Sequence, residues 1–171
     1  MKTFLISDTH FGHKNILRYE PDLRPFASVE EMNETLIENW NSVVGKNDIC
    51  WHLGDVLFGA KAFELLSRLN GCKKLVMGNH DIYPIERYAE HFQKIVPYDT
   101  LAGCILSHIP VHTGQVGEGR RFKLNIHGHL HSKNVMEHIP GIGLQDDARY
   151  RNVSVEQTGL KPMLLDEVIN G

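Results

Sequence analysis

Five short apolar runs in this chain end alike: within two or three residues each gives way to glycine, serine, aspartate, asparagine or histidine. Phe4-Leu5-Ile6 leads to Asp8-Thr9-His10, residues 49–53 to Gly54-Asp55, and residues 74–77 to Gly78-Asn79-His80-Asp81. Residues 101–107 lead to Ser107-His108, and residues 122–127 to His127-Gly128-His129-Leu130-His131. Apolar runs of this length, bounded by turn residues, read as buried strands. The first, residues 2–7, is apolar enough to be covered on both faces. Loops need no imidazoles and carboxylates, but ligand sites in α/β sheets collect at the carboxyl ends of strands. The pattern therefore favours a sheet architecture that brings five strand ends to one edge.

The segments between these runs point to the same class. Ser28 followed by Glu31 makes a capping-box pattern. Val29, Met32, Leu36, Trp40 and Val43 then recur at helical spacing, and Gly45 closes the element. Residues 60–69 read as a second amphipathic helix, with Phe63, Leu66 and Leu69 on one face. Residues 12–27, with Pro21 and Pro25, read as a surface excursion. Further strands are expected at 152–155 and 162–165. Strand and helix alternate in the first half and strands dominate the second, which is a layered α/β architecture with mixed sheets. A length of 171 residues fits one domain spanning 1–171. A net charge of −3 lacks the basic footprint of a dedicated nucleic-acid-binding module. Cys50, Cys72 and Cys104 are odd in number and widely spaced, so they read as free thiols in a reducing compartment. With no signal-peptide pattern and no membrane-length apolar stretch, the expected location is cytoplasmic, with no membrane partner.

Asp8 with His10, and His129 with His131, stand two apart, so extended backbone would aim each pair the same way. Glycines at 54, 78 and 128 permit tight turns and close backbone approach. The donors are nitrogen and oxygen without thiolate, which suits Mn²⁺, Fe or Zn²⁺. Seven groups are too many for one tetrahedral ion and suit two ions sharing a carboxylate. Two metals roughly 3.5–4 Å apart can clamp the attacking and leaving oxygens of a displacement at phosphorus.

The ordered series Asp8-x-His10, Gly54-Asp55, Gly78-Asn79-His80-Asp81, Ser107-His108 and Gly128-His129-Leu130-His131 resembles the calcineurin-like metallophosphoesterase superfamily. The resemblance runs from residue 8 to residue 131 and implies a four-layer α/β/β/α sandwich. It implies that Asp8, His10 and His131 hold one metal, that Asn79, His108 and His129 hold the other, and that Asp55 bridges them. His80 would face the substrate, stabilising the phosphate or protonating the leaving oxygen; Asp81, adjacent to it in the sequence and not implied by the resemblance, is a candidate catalytic partner. A metal-bound hydroxide would be the nucleophile. The cofactors implied are two divalent ions, Mn²⁺ favoured, with Fe, Zn²⁺ or Ni²⁺ as alternatives. The protein phosphatase branch continues its bridging motif Gly-Asp-x-Val-Asp-Arg-Gly; here Gly54-Asp55-Val56-Leu57-Phe58-Gly59 puts Phe58 in place of an acid and lacks the arginine. Protein phosphatase activity is not expected.

Candidate substrate-binding residues are His13, Arg18, His112 and Arg120. Lys14, Arg24, Arg121, Arg149 and Arg151 are further cations that could meet a phosphate, and arginine matches phosphate oxygens bidentately. His52 reads as structural, and His127 as a residue hydrogen-bonded to a ligand. The segments 12–27 and 132–151 are candidate rims of a cleft. The expected function is hydrolysis of small phosphate esters, nucleotides among them, with phosphodiesters favoured. One rival is a nuclease with the same centre; it calls for a basic groove that the charge balance does not announce. The other is a non-catalytic interaction scaffold, which predicts lost ligands, whereas all seven positions and His80 are filled. The sequence leaves the oligomeric state open.

Overall fold

The computed structural model describes residues 1–171 and is a mixed α/β structure. Its elements in chain order are β1 (Thr3–Ile6), α1 (Ile16–Tyr19), α2 (Val29–Val43), β2 (Ile49–His52), α3 (Phe63–Leu66), β3 (Cys72–Val76), α4 (Ile85–Ala89), β4 (Lys94–Val96), β5 (Tyr98–Leu101), β6 (Cys104–Ser107), β7 (Leu124–His127), β8 (Met136–Ile139), β9 (Gly143–Asp146), β10 (Tyr150–Asn152), β11 (Met163–Leu164) and α5 (Leu165–Asn170). One sheet has the order β11-β1-β2-β3-β4, the other β10-β7-β6-β5, and β8-β9 is a separate hairpin. In the first sheet β1 to β4 are parallel and β11 is antiparallel; in the second, β5 alone runs against its neighbour. Both sheets are therefore mixed.

Apolar alternation sets the layers. Leu5 of β1 faces inward with Trp51, Val76, Leu106, Ile126 and Val153, residues drawn from both sheets and their margins, so the sheets pack face to face. Phe4 and Ile6 point the other way, into a larger cluster with Met32, Leu36 and Trp40 of α2 and with Phe63, Leu66 and Tyr88. β1 is thus covered on both faces. The outer face of the second sheet carries Ile105 and Tyr150, covered by Val116, Val111, Phe122 and Val135 from connecting segments and not by an α-helix.

α2 forms where its periodicity predicts. Ser28 caps it, its hydroxyl accepting from the Glu31 N–H at 3.1 Å, while the Glu31 carboxylate reaches back to the N–H of Ala27 at 2.8 Å. The expected helix at 60–69 is shorter: a 3₁₀ turn at Ala60–Ala62 precedes one turn of α3, and Leu69 is buried from the chain beyond it. The expected strand at 101–107 divides, because Ala102 and Gly103 have φ of 50° and 77° and form a two-residue hairpin turn between β5 and β6. No helix is long and apolar enough to cross a membrane.

Register brings the strand ends together. β1 pairs with β2 from Thr3↔Ile49 to Ile6↔His52, and β2 with β3 up to His52↔Leu75, so three carboxyl ends finish level. A sixth strand, β10, runs parallel to β7 and delivers Ser154 and Glu156 to the same edge. There a parallel bridge between Ser7 and Ser154 links the chains leaving the two sheets.

Candidate metal centre

Asp8, His10, Asp55, Asn79, His108, His129 and His131 converge on one site. Asp55 stands at its middle. One carboxylate oxygen, Oδ2, is 3.7 Å from His10 Nε2, and the other, Oδ1, is 3.4 Å from His108 Nε2. On the first side, Asp8 Oδ1 lies 3.8 Å from both His10 Nε2 and His131 Nε2. On the second, His108 Nε2 lies 2.9 Å from Asn79 Oδ1 and 3.3 Å from His129 Nδ1. Asp8, His10 and His131 could hold one ion, and Asp8, Asp55 and His108 another.

Local backbone strain marks the same residues. Seven non-glycine residues have positive φ, and five of them are Asp8, His10, Asp55, His129 and His131. Left-handed backbone costs a non-glycine residue of order 1–3 kcal/mol and persists where surrounding structure enforces it. The Asp8/His10 and His129/His131 pairs therefore converge through alternate left-handed residues, not through the extended backbone that their spacing first implies. Gly78 and Gly128 let the loops abut: a Cβ on Gly78 would lie 2.2 Å from Asp55 Oδ1, and one on Gly128 2.3 Å from Asp8 Oδ2.

Several donor atoms are turned inward without a protein partner. Asp8 Oδ1 and His10 Nε2 are buried and make no hydrogen bond. Such atoms cost free energy unless something pairs with them. A divalent cation between the carboxylate and imidazoles fits that donor set. The remaining atoms of these groups are occupied in ways that aim them. Asp8 Oδ2 accepts from the His129 N–H at 2.9 Å and lies 2.9 Å from Ser154 Oγ. His108 Nδ1 is held by the Leu53 carbonyl at 2.8 Å, and His131 Nδ1 by Glu156 at 3.0 Å, which leaves each Nε2 facing the site. Burial resists ionisation of Asp8, but its contact with His10 and the charges of His108 and His131 hold its carboxyl below the usual range. Burial likewise disfavours a charged His10 and lowers its pKa, against the opposing pull of Asp8 and Asp55.

Other expected residues fall differently. His80 is exposed at the site; its backbone N–H donates to Asp55 Oδ1 at 2.9 Å, and its ring centroid lies 6.0 Å from that of His10. Asp81, taken from the sequence as a catalytic partner of His80, does not serve it. Its carboxylate accepts from the N–H groups of Gly78, Asp55 and Val56 at 2.8–2.9 Å, so it pins the loop carrying Asp55. His13 reaches the site's margin, stacked on Phe58 with centroids 3.8 Å apart. Arg18 is exposed in a separate cleft with Lys14, Leu17 and Phe26. His112 caps the Thr113–Gln115 turn, accepting from the Gly114 N–H at 3.0 Å, and is not at the centre. Arg120 is exposed on the turn from Gly117 to Phe122, with no hydrogen bond or ion pair from its side chain to the site. His127 binds the Gly128 carbonyl at 2.8 Å and not a candidate ligand's side chain.

Arg24 is the largest departure from expectation. Its segment crosses the surface, yet Arg24 is 1% exposed, with its guanidinium donating to the backbone carbonyls of Asp8 and Thr9 and to Glu156 at 2.7 Å. It underpins the site and cannot meet a substrate. Arg149 is likewise taken up by Asp147, and Arg151 by backbone carbonyls. Glu156 and Ser154 were not anticipated as site residues. Their one sequence signal is the alternation Val153-Ser154-Val155-Glu156, which puts two polar residues on one face of a buried segment.

No family model matches the chain. An uncharacterized protein of Methanocaldococcus jannaschii, MJ1445, is 40% identical over 177 residues, covering 98% of this chain and 89% of that protein. The gene 66 protein of Mycobacterium phage L5 is 32% identical, covering 78% of this chain and 79% of its own length. Among solved structures, the protein of unknown function AQ665 from Aquifex aeolicus is 27% identical and superposes with a TM-score of 0.72 over 99% of this chain and 98% of its own. An archaeal phosphodiesterase, 16% identical, gives 0.47 over 90% of this chain and 82% of its own. The chain belongs to one family with MJ1445 of Methanocaldococcus jannaschii and the gene 66 protein of phage L5.

Proposed function

We propose that the chain is a calcineurin-like metallophosphoesterase that hydrolyses small phosphate esters, diesters in preference to monoesters. The observation that carries this reading is Asp55, whose two carboxylate oxygens each face a different group of donors. Asp8, His10 and His131 would hold one divalent ion and Asn79, His108 and His129 the other, with Asp55 shared and Mn²⁺ the favoured metal. Two such ions supply positive charge to the phosphoryl oxygens and lower the pKa of bound water.

The chain's own groups supply the rest. Asp55, fixed through Asp81 and the His80 N–H, sets the spacing between the two donor groups. Glu156 and Ser154 keep His131 and Asp8 in their orientations. His80, exposed on the turn after Asn79, would give a proton or hydrogen bond to the leaving oxygen. No side chain hydrogen-bonds its ring, so the orientation of His80 rests on the turn itself and on its ring contacts with Phe58 and His10.

A panel assayed with Mn²⁺ tests the reading: a nitrophenyl monoester, a bis-nitrophenyl diester, cyclic nucleotides and single-stranded DNA. Turnover of the diester above the monoester is expected, with two metal ions per chain by elemental analysis. A stoichiometry of one or none would sink the shared-carboxylate centre. Preferred cleavage of DNA would replace the small-ester reading with a nuclease. Metal binding without turnover of any ester would leave the scaffold reading.

A further inference from the structure

Phe58 belongs to none of the hydrophobic clusters that make the core, and it is only half-buried. It is nonetheless rigidly held. Its N–H donates to the Phe11 carbonyl at 2.8 Å, and a Cβ on Gly12 would lie 2.6 Å from the Phe58 carbonyl oxygen, so the two loops are pressed together. Three imidazoles surround the ring: His13 stacked at 3.8 Å and 14°, His10 at 5.3 Å and 21°, and His80 at 5.1 Å. Tyr19, 68% exposed, stands edge-on to His13 at 6.2 Å. An immobilised aromatic platform thus adjoins the candidate metal centre without contributing to the core.

Phe58 also lines a cleft of about 440 Å³. Val29, Ala62 and Leu65 give it an apolar wall, while Lys14, Lys61, Glu30 and Asn33 add polar groups, the Asn33 Oδ1 already accepting from the Gly12 N–H at 3.0 Å. A volume of this order suits a ligand of one or two rings. An acyl chain would not use the lysines and amide. A planar heterocycle uses the aromatic face as well, stacking on Phe58 while two lysines against the one Glu30 carboxylate leave net positive charge for an anionic ester beside it.

We propose that Phe58, backed by His13, seats the base of a nucleoside phosphoester whose phosphate lies at the metal centre. This rests on the phosphoesterase reading above and names its substrate class. Phe58 is then a specificity-determining residue: its ring lies 5.3 Å from that of His10 between centroids, so a base stacked on it would adjoin the proposed metal ligands.

Binding tests this apart from catalysis. Calorimetry on Mn²⁺-loaded protein would compare thymidine 5′-monophosphate with methyl phosphate, ligands that share the phosphate and differ by the nucleoside. Wild type is expected to prefer the nucleotide, and Phe58→Leu to cut that preference about 5- to 100-fold, the scale of one stacked base. Phe58→Tyr should restore it. Elemental analysis and circular dichroism would show that metal and fold survive. Equal affinity of wild type for both ligands overturns the proposal, as does a preference untouched by Phe58→Leu. A readout without any variant is the nuclear Overhauser effect between the thymine methyl and the Phe58 ring in Zn²⁺-loaded protein, whose absence at saturation also overturns it. A nucleotide preference lost in Phe58→Leu, in a protein that hydrolyses no ester, would uphold the base site while ending the phosphoesterase reading.

Discussion

The two halves of the metal centre are built differently. Asp8 and His10 are almost inaccessible, and behind them lies a buried charge network: Glu156 holds His131, Arg24 holds Glu156 at 2.6 Å, and Arg24 also grips the backbone carbonyls of Asp8 and Thr9. The half formed by Asn79, His108 and His129 has no such backing. His108, itself buried, rests on the Leu53 carbonyl and Asn79; Asn79 is exposed, and His129 is half-exposed, as is His131 on the other side. Ligands oriented by charged partners are pre-set for their ion, whereas exposed ligands must be ordered as it binds. On the proposed reading, the difference teaches that one half would retain a metal and the other would remain open to solvent and substrate. Two unequal binding steps are expected.

The most severe way to break this asymmetry is to remove the group the halves share. Asp55→Asn keeps the shape but gives up the charge that would neutralise both ions. Turnover should fall to near background, and both steps of a metal titration should weaken. Activity close to wild type would show that Asp55 does not join the halves.

His80 is exposed and is not among the proposed ligands, so its loss should spare both metals. His80→Ala is expected to keep the fold and two ions per chain but to lose about 10²–10⁴-fold in turnover, the usual range for a positioned acid or base. The loss should shrink for nitrophenolate, a leaving group that needs little protonation. Kinetics on good and poor leaving groups, alongside metal analysis, decide the matter. Loss of metal would place His80 among the ligands, and unchanged kinetics on the poor leaving group would remove it from the chemistry.

Glu156→Gln addresses the closed half alone. An amide can still accept from His131, but the charge behind the imidazole is gone. Removal of such a partner typically costs about 10–100-fold in metal affinity. One step of a Mn²⁺ titration should weaken by that factor while the other holds. Thermal stability should also fall, because Arg24 would remain buried without its counter-charge. Equal weakening of both steps would show that the halves are not separate.

What the sequence disclosed, and what it hid, divides along the same line. Every proposed ligand sits just past an apolar run, where the change from Ile6 to Asp8 or from Met77 to Asn79 is local and readable. The supporting layer is not local. Arg24 and Glu156 are 132 residues apart, and nothing within either segment announces the other. A proline-containing surface excursion gives no hint that one of its side chains dives beneath the site. Asp81 misled for the opposite reason: adjacency to His80 invited a pairing, while the turn aims its carboxylate at the N–H groups of Gly78, Asp55 and Val56. Helix α2 was legible from cap and period together, whereas α3 was overestimated because Leu69 is buried from the chain beyond the helix.

The smallest expected effect concerns His52, buried beneath the turn that joins the halves. Thr9 Oγ1 donates to the Val56 carbonyl at 2.8 Å and so accepts from His52 Nε2 at 2.9 Å. The other ring nitrogen, Nδ1, accepts from the Gly54 N–H at 3.2 Å. Only the neutral tautomer with its proton on Nε2 satisfies both contacts; a proton on Nδ1 would oppose the Gly54 N–H, next to Asp55. Burial pushes the pKa of His52 down to about 3. The sign follows from linkage. Above about pH 6.5 His52 is neutral folded and unfolded, and its full contribution is present. Below that pH the unfolded chain takes up a proton that the folded one refuses, so stability is lost as pH falls. By pH 5.5 this one group should cost about 1.4 kcal/mol, a tenfold shift in the folding equilibrium. His127, lowered to about 4 by burial, spends Nδ1 on the Gly128 carbonyl and forfeits no such bond on protonation. Urea unfolding of metal-free protein at pH 7.5 and 5.5 should therefore show a loss in wild type that exceeds the loss in His52→Gln by about that amount. Equal losses would mean that His52 accepts the proton without cost, and that the turn beneath Asp55 is looser than its hydrogen bonds imply.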